Sequence, residues 1–243
     1  SIRRSGDVRL REAIFQYALG MVRQYEGKPT ESRAAFEQSA ALFAGVPRGE
    51  WLAAYREANG SLWGAYARGE IGREELHRRR FSDPLGAFGL DRGAAAEVGD
   101  FYLGQYRRAW RLNEGAEELL AAAAELGEVG VLSNGFRELQ RAKIARFELG
   151  RWVRHVVLSE EVGAMKPARA IFDAATRAAT GGDGGNGCRK LYLGDHWETD
   201  VLGARAAGWL PVLYNPGRAA LPAPVLFVTR LVDVLGPRNV LWG

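Results

Sequence analysis

Three short stretches of the chain close apolar runs on residue types that handle an anion or a hard cation. Val131-Leu132-Ser133-Asn134-Gly135 ends a strand-like run with a hydroxyl and a glycine. The Ser133 side chain and the backbone N–H groups that follow, those of Asn134 and Gly135, can jointly hold an anion there. The same residues also make an ordinary turn. Met165-Lys166-Pro167 sets a lysine directly before a proline expected to open a helix, either with its ammonium free to approach an anion or as a plain surface lysine. Leu193-Gly194-Asp195-His196-Trp197-Glu198-Thr199-Asp200 follows a buried strand and carries two aspartates five positions apart across a turn into a helix. Hard oxygen ligands at a strand end suit Mg²⁺, which takes one or two carboxylates and leaves the rest to water and a substrate phosphate. An Asp in that place can also act only as a helix cap.

The elements that must position these residues alternate at short spacing from residue 115 onward. Ala116–Leu126 and Phe136–Leu149 read as helices, Val129–Ser133 and Val153–Leu158 as short apolar strands. A helix opened by Pro167 through about Ala179, a strand at Leu191–Leu193, a helix at Thr199–Ala207 and a strand at Pro211–Tyr214 repeat the pattern. Strand, helix, strand at this spacing predicts right-handed crossovers and a parallel, doubly wound α/β sheet. Chemistry in such sheets sits beyond the carboxyl ends of the strands, which puts Ser133, Ser159, Asp195 and Asn215 along one rim. Residues 21–108 read instead as a small helical bundle, with Leu52, Tyr55, Leu62, Trp63, Tyr66, Ile71 and Leu76 as its apolar stripes. The glycine-rich run Gly181–Gly187 leads into a strand rather than a helix, so it reads as a surface loop and not as a phosphate cradle.

Composition excludes several classes. At 243 residues and 47% hydrophobic content the chain can bury one sizeable core or a core domain plus a smaller one, and no apolar run reaches the ~18 residues of a membrane span. A single cysteine, Cys188, allows no internal disulfide and, with a polar amino terminus unlike a secretory signal, points to the cytoplasm. The net charge of +4 and pI of about 9.4 come from acids and bases interleaved along the chain, which does not make a nucleic-acid footprint. Only four of the 33 basic residues are lysines (Lys28, Lys143, Lys166 and Lys190), which draws attention to each of them.

Taken in order, Ser133-Asn134-Gly135, then Ser159-Glu160-Glu161-Val162-Gly163-Ala164-Met165-Lys166-Pro167, then Gly194-Asp195 with Asp200, resemble motifs II, III and IV of the haloacid dehalogenase (HAD) superfamily. Ile171-Phe172, Asp200-Val201-Leu202-Gly203-Ala204 and Ala207-Gly208 extend the likeness. Trp63-Gly64-Ala65-Tyr66 with Gly69-Glu70-Ile71 resembles the superfamily's inserted helical cap. The resemblance implies a Rossmann-like core over residues 109–243, a helical cap over 21–108, and a first core strand, degenerate or missing, at 1–20. It implies Mg²⁺-dependent hydrolysis of a small phosphorylated metabolite through an aspartyl-phosphate. Ser133 would hydrogen-bond the phosphoryl group, Lys166 would neutralise it, Asp195 would bind Mg²⁺, and Asp200 would support the metal site and Lys166.

The superfamily's first motif, an apolar strand ending Asp-x-Asp-x-Thr, has no counterpart, since Asp-x-Asp occurs nowhere in the sequence. The nearest candidate, Ala13-Ile14-Phe15-Gln16-Tyr17-Ala18, places Gln16 and Ala18 where the two aspartates would stand. An amide does not attack phosphorus as a carboxylate does, and alanine carries no proton. Alternatively Val8–Tyr25 is a first cap helix and the sequence starts after the missing strand, as a first residue other than Met suggests, or it carries an error near its start. In the family's fold that strand lies between those leading to Ser133 and Asp195, so its loss would leave two buried edges unpaired. A catalytically inactive HAD-fold protein that binds a phosphorylated ligand or partner is the alternative. A 2-haloacid dehalogenase fits less well, because that chemistry needs no metal.

Overall fold

The computed structural model describes residues 48–108, 110–182 and 189–235. The chain divides into two compact units, with the boundary between Arg111 and Leu112. The amino-terminal unit, as far as it is described, is helical: α1 (Arg48–Ala67), α2 (Arg73–Ala87), a 3₁₀ turn at Arg92–Ala94 and α3 (Ala95–Arg108). Its core is aromatic, with Trp51, Tyr55, Phe81 and Tyr102 buried beside Leu62, Leu76 and Leu85. Tyr55, Leu62 and Leu76 of the expected apolar stripes are buried, whereas Trp63, Tyr66 and Ile71 are only partly so. Arg80 is buried on this cluster, with its guanidinium 5.1–5.7 Å from the Tyr55, Phe81 and Tyr102 ring centres and donating to the Tyr55 hydroxyl. The negative ring faces stabilise a buried cation that no periodicity in the chain foretells.

The carboxyl-terminal unit is α/β. Its elements run α4 (Ala116–Leu126), β1 (Gly130–Ser133), α5 (Arg137–Arg146), β2 (His155–Leu158), a single turn α6 (Ser159–Val162), α7 (Arg169–Thr180) and β3 (Leu191–Gly194). A π-helical turn at Trp197–Leu202, α8 (Gly203–Ala206), β4 (Leu210–Tyr214) and β5 (Leu226–Val228) follow. α4 is built from strong helix formers and has Glu117 and Glu118 in its first turn, where they favour the helix dipole. Every strand pairing is parallel, β1 with β2, and β3 with β4 with β5. The expected α/β class and parallel sheet are therefore observed. Among the described residues no strand joins β1 to β3, and the sheet falls into a two-stranded and a three-stranded part. The degenerate-strand candidate with Gln16 and Ala18, and the alternative helix at Val8–Tyr25, lie outside the described residues.

The core between strands and helices gathers Val157, Ile171, Phe172, Ala175, Ala204 and Ala207, with Leu132, Tyr192 and Trp209 packed against it. Phe172 sits at its centre, fully buried and edge-on to Tyr192 and Trp209, whose ring centres are 5.5 and 5.9 Å away. Phe172→Ala should lower the unfolding free energy by about 3–5 kcal/mol, from lost burial plus the cavity left behind. Urea titration with an unchanged slope would measure that loss, and a change below about 1 kcal/mol would contradict this account of the core.

Besides shifts of one to three residues at other ends, two helix starts and one strand depart from expectation for a physical reason. α7 starts at Arg169, two residues after Pro167, because Lys166 and Pro167 occupy a tight turn closed by the Ala168 amide on the Met165 carbonyl at 2.8 Å. The helix expected at Thr199–Ala207 begins instead as the wider turn at Trp197, where the Val201 amide reaches back five residues to the His196 carbonyl at 3.3 Å. β5 was not expected, although Val225-Leu226-Phe227-Val228 is an apolar, β-rich run after two prolines.

Candidate active site

Parallel pairing brings the carboxyl ends of the strands to common edges. Ser133 is the last residue of β1, Ser159 follows β2, Asp195 follows β3 and Asn215 follows β4. These positions are the rim that the sequence predicts, but the side chains do different work. Asn215 is buried and holds its own loop, exchanging two hydrogen bonds of 2.9 and 3.0 Å with the Ala219 backbone. The Ser159 hydroxyl is buried and has no hydrogen-bond partner among the described residues. Its neighbours Glu160 and Glu161 turn to α5, accepting from the Arg137 amide and from the Arg141 guanidinium, each at 2.6 Å.

The centre of the arrangement is Lys166. Its side chain is only 10% exposed, and its ammonium donates to Asp200 Oδ1 and to the Tyr192 hydroxyl, both at 2.6 Å. Asn134 fixes the backbone of the same residue: its amide donates to the Lys166 carbonyl at 2.8 Å and accepts from the Lys166 N–H at 2.7 Å. The strand end carrying Ser133 is thereby tied to the turn carrying Lys166. Ser133 Oγ accepts from the Gly135 amide at 3.1 Å, so hydroxyl and backbone already face one another at this turn. Asn134 thus reaches an anion only through its backbone, because its side chain is committed to Lys166.

Asp200 is 4% exposed and fully engaged. Oδ1 accepts from Lys166 and from the Thr199 hydroxyl at 3.2 Å, and Oδ2 accepts from the Asp195 and His196 amides at 3.0 Å each. The π-helical turn makes this possible by directing the Asp200 side chain back over the end of β3. Gly194 leaves the room: a Cβ there would stand 2.4 Å from Asp200 Oδ2 and 2.5 Å from its Cγ. Gly194→Ala should therefore displace a carboxylate held by four hydrogen bonds, at a cost of about 1–3 kcal/mol. A melting temperature unchanged from wild type would refute the close approach.

Of the two aspartates expected at a metal, the geometry leaves one available. Asp195 is exposed, and among the described residues its carboxylate meets neither a donor nor a cation within bonding distance. Both oxygens of Asp200 instead face protein donors, so it braces the loop rather than presenting a ligand. Among the described residues no group of three or more His, Cys, Asp or Glu is placed to hold a metal. One exposed carboxylate fits Mg²⁺ completed by water and phosphate oxygens, and does not fit a closed protein cage. Tyr192 and Thr199, to which the motifs assign no role, complete the constellation. The available signal was a phenol inside the apolar strand Leu191-Tyr192-Leu193, where a hydroxyl needs a partner. Burial first, then the negative charge of Asp200 and Asp195, push the Tyr192 phenol well above its ordinary value of 10.0, so it stays protonated.

The α/β core with its helical companion has counterparts among known proteins. A model of the haloacid dehalogenase-like hydrolases matches residues 8–208. The chain belongs to that family. This HAD-like hydrolase is 31% identical over 183 residues to pyrimidine 5'-nucleotidase YjjG of Escherichia coli, covering 74% of this chain and 79% of that one. It is likewise 31% identical over 186 residues to a phosphoserine phosphatase of Thermus thermophilus, covering 73% and 72%. Among solved structures, HAD-hydrolase YfnB of Bacillus subtilis bound to magnesium superposes with a TM-score of 0.67 at 20% identity, over 92% of this chain and 90% of that one. L-2-haloacid dehalogenase of Xanthobacter autotrophicus gives 0.57 at 18%, over 93% and 92%. At these identities the likeness to solved structures is one of fold.

Proposed function

We propose that this HAD-like hydrolase is a Mg²⁺-dependent phosphomonoesterase acting on a small phosphorylated metabolite. The observation that carries the reading is Lys166, a nearly buried ammonium at the strand ends, held by Asp200 and Tyr192 and tied through Asn134 to the turn of Ser133. A buried cation costs more to desolvate than its ion pair returns, so its placement is better explained by a task than by stability. That task is to receive the charge of a phosphoryl group, with the Ser133 hydroxyl and the Asn134 amide donating to its other oxygens while the Gly135 amide holds the Ser133 oxygen in place. Mg²⁺, held by Asp195, would supply further charge neutralisation at the phosphoryl oxygens. Asp200 keeps the Asp195 loop in place through the two amides it accepts. The helical unit, in this reading, is the substrate-selecting cap. The nucleotidase and phosphatase among the relatives of about 31% identity support phosphomonoester over haloacid chemistry.

The covalent step of the family calls for a carboxylate nucleophile, and the described residues around Lys166 offer none beyond Asp195 and the saturated Asp200. The test is therefore direct: Mg²⁺-dependent phosphate release from a nucleoside 5'-monophosphate, phosphoserine and a triose phosphate. Release that depends on Mg²⁺ supports the reading. A folded chain that binds Mg²⁺ and orthophosphate yet releases nothing would replace hydrolysis with ligand binding.

A further inference from the structure

Lysine carries three ammonium hydrogens, and in Lys166 the fold directs two of them. One bond to Asp200 alone would let the ammonium swing about that contact; the second, to the Tyr192 hydroxyl, comes from β3 rather than from the turn that carries Asp200, and removes this freedom. The hydroxyl is itself fixed, donating to the Leu132 carbonyl at 3.2 Å, one residue before Ser133. Its ring is wedged edge-on against Phe172 and Trp209, at centroid distances of 5.5 and 6.4 Å. Ring packing of that kind needs no oxygen, and phenylalanine would satisfy it. The oxygen is explained by what it touches.

We propose that Tyr192 is a positioning residue for the phosphoryl site: its hydroxyl aims the third hydrogen of Lys166 and references it to the end of β1, so that Lys166 and Ser133 meet one phosphoryl group at a set spacing. The inference rests on the phosphomonoesterase reading of the same site. Fixing one donor direction in advance removes an ordering cost that would otherwise fall on the transition state. The effect belongs in kcat, because a looser ammonium still attracts a bound phosphate.

Tyr192→Phe keeps the ring and removes only the oxygen. With the full chain, Mg²⁺ and a hydrolysed ester, the expected result is a kcat roughly tenfold lower and a KM within about threefold, with unchanged near-ultraviolet circular dichroism. An unchanged kcat overturns the inference. In a Lys166→Gln background the same substitution should leave the Kd of orthophosphate within about twofold, since its route of action is gone. A Kd shifted beyond that range assigns the effect to packing and overturns the inference as well. A wild type that neither hydrolyses esters nor binds orthophosphate defeats the phosphomonoesterase reading alone. Lys166 is then followed by its rate of acetylation with acetic anhydride, read by mass spectrometry of its peptide, as it is if the double variant does not fold. Several-fold faster acetylation in Tyr192→Phe shows the released ammonium, and equal rates overturn the role.

Discussion

Lys166→Met should lower the unfolding free energy by about 3 kcal/mol, within the range expected when one partner of a buried ion pair is removed. Asp200 is left 5% exposed at its side chain with a charge that, among the described residues, the Thr199 hydroxyl and two amides still face. Methionine fills most of the lysine's volume, so the loss reports electrostatics rather than a cavity. Asp200→Ala should cost more, because it deprives Lys166 of its counter-charge and also orphans the Asp195 and His196 amides. Urea midpoints at constant slope give both values. A Lys166→Met chain as stable as wild type would mean that the pair is solvated, and the assignment of Lys166 as a pre-set charge would fall with it.

Asp195→Asn has the opposite profile. The residue is exposed and makes no side-chain bond among the described residues, so the melting temperature should stay within about 2 °C of wild type, as for most surface changes. Mg²⁺-dependent phosphate release should fall by roughly 100-fold or more, because a neutral amide oxygen is a far poorer partner for a hard divalent ion. Calorimetric titration with Mg²⁺ should show weakened binding in parallel. Equal rates in variant and wild type would remove Asp195 from the metal site. The pair of variants separates two carboxylates only five positions apart in sequence, one whose loss is felt by the fold and one whose loss is felt by the chemistry.

The reason those roles differ was only partly legible in the sequence. The alternation of strands and helices could be read because Gly, Pro and Asn punctuate it, and because each strand is a short apolar run. The rim followed from parallel pairing, which places residues such as Ser133 and Asp195 at strand ends whatever their side chains do. Harder to read was the division of labour along that rim. Asp200 could be recognised as a carboxylate near a strand end, but not as one saturated by four donors, since that depends on the widened turn at Trp197–Leu202 and on the space beside Gly194. Periodicity does not distinguish a π turn from an α turn over six residues. Asn134 reads as a turn residue and acts as a clamp, because its partner lies 32 positions away. Arg80 in the helical unit shows the same limit: a cation inside a bundle is explained only by three rings that folding brings to it.

The Asn134 clamp also reaches into the time domain. Its amide gives Lys166 the two bonds that a neighbouring strand would give, although Lys166 lies in a turn outside the sheet. The Lys166 amide hydrogen should then exchange with solvent deuterium as slowly as those of β2, and orders of magnitude more slowly than an ordinary turn amide, because release requires the clamp to open. In Asn134→Ala that protection should vanish at Lys166 while persisting in β2. Survival of the protection would mean that some other group guards this amide. Local opening at that one position would also set the rate at which the lysine and the serine turn lose their common reference.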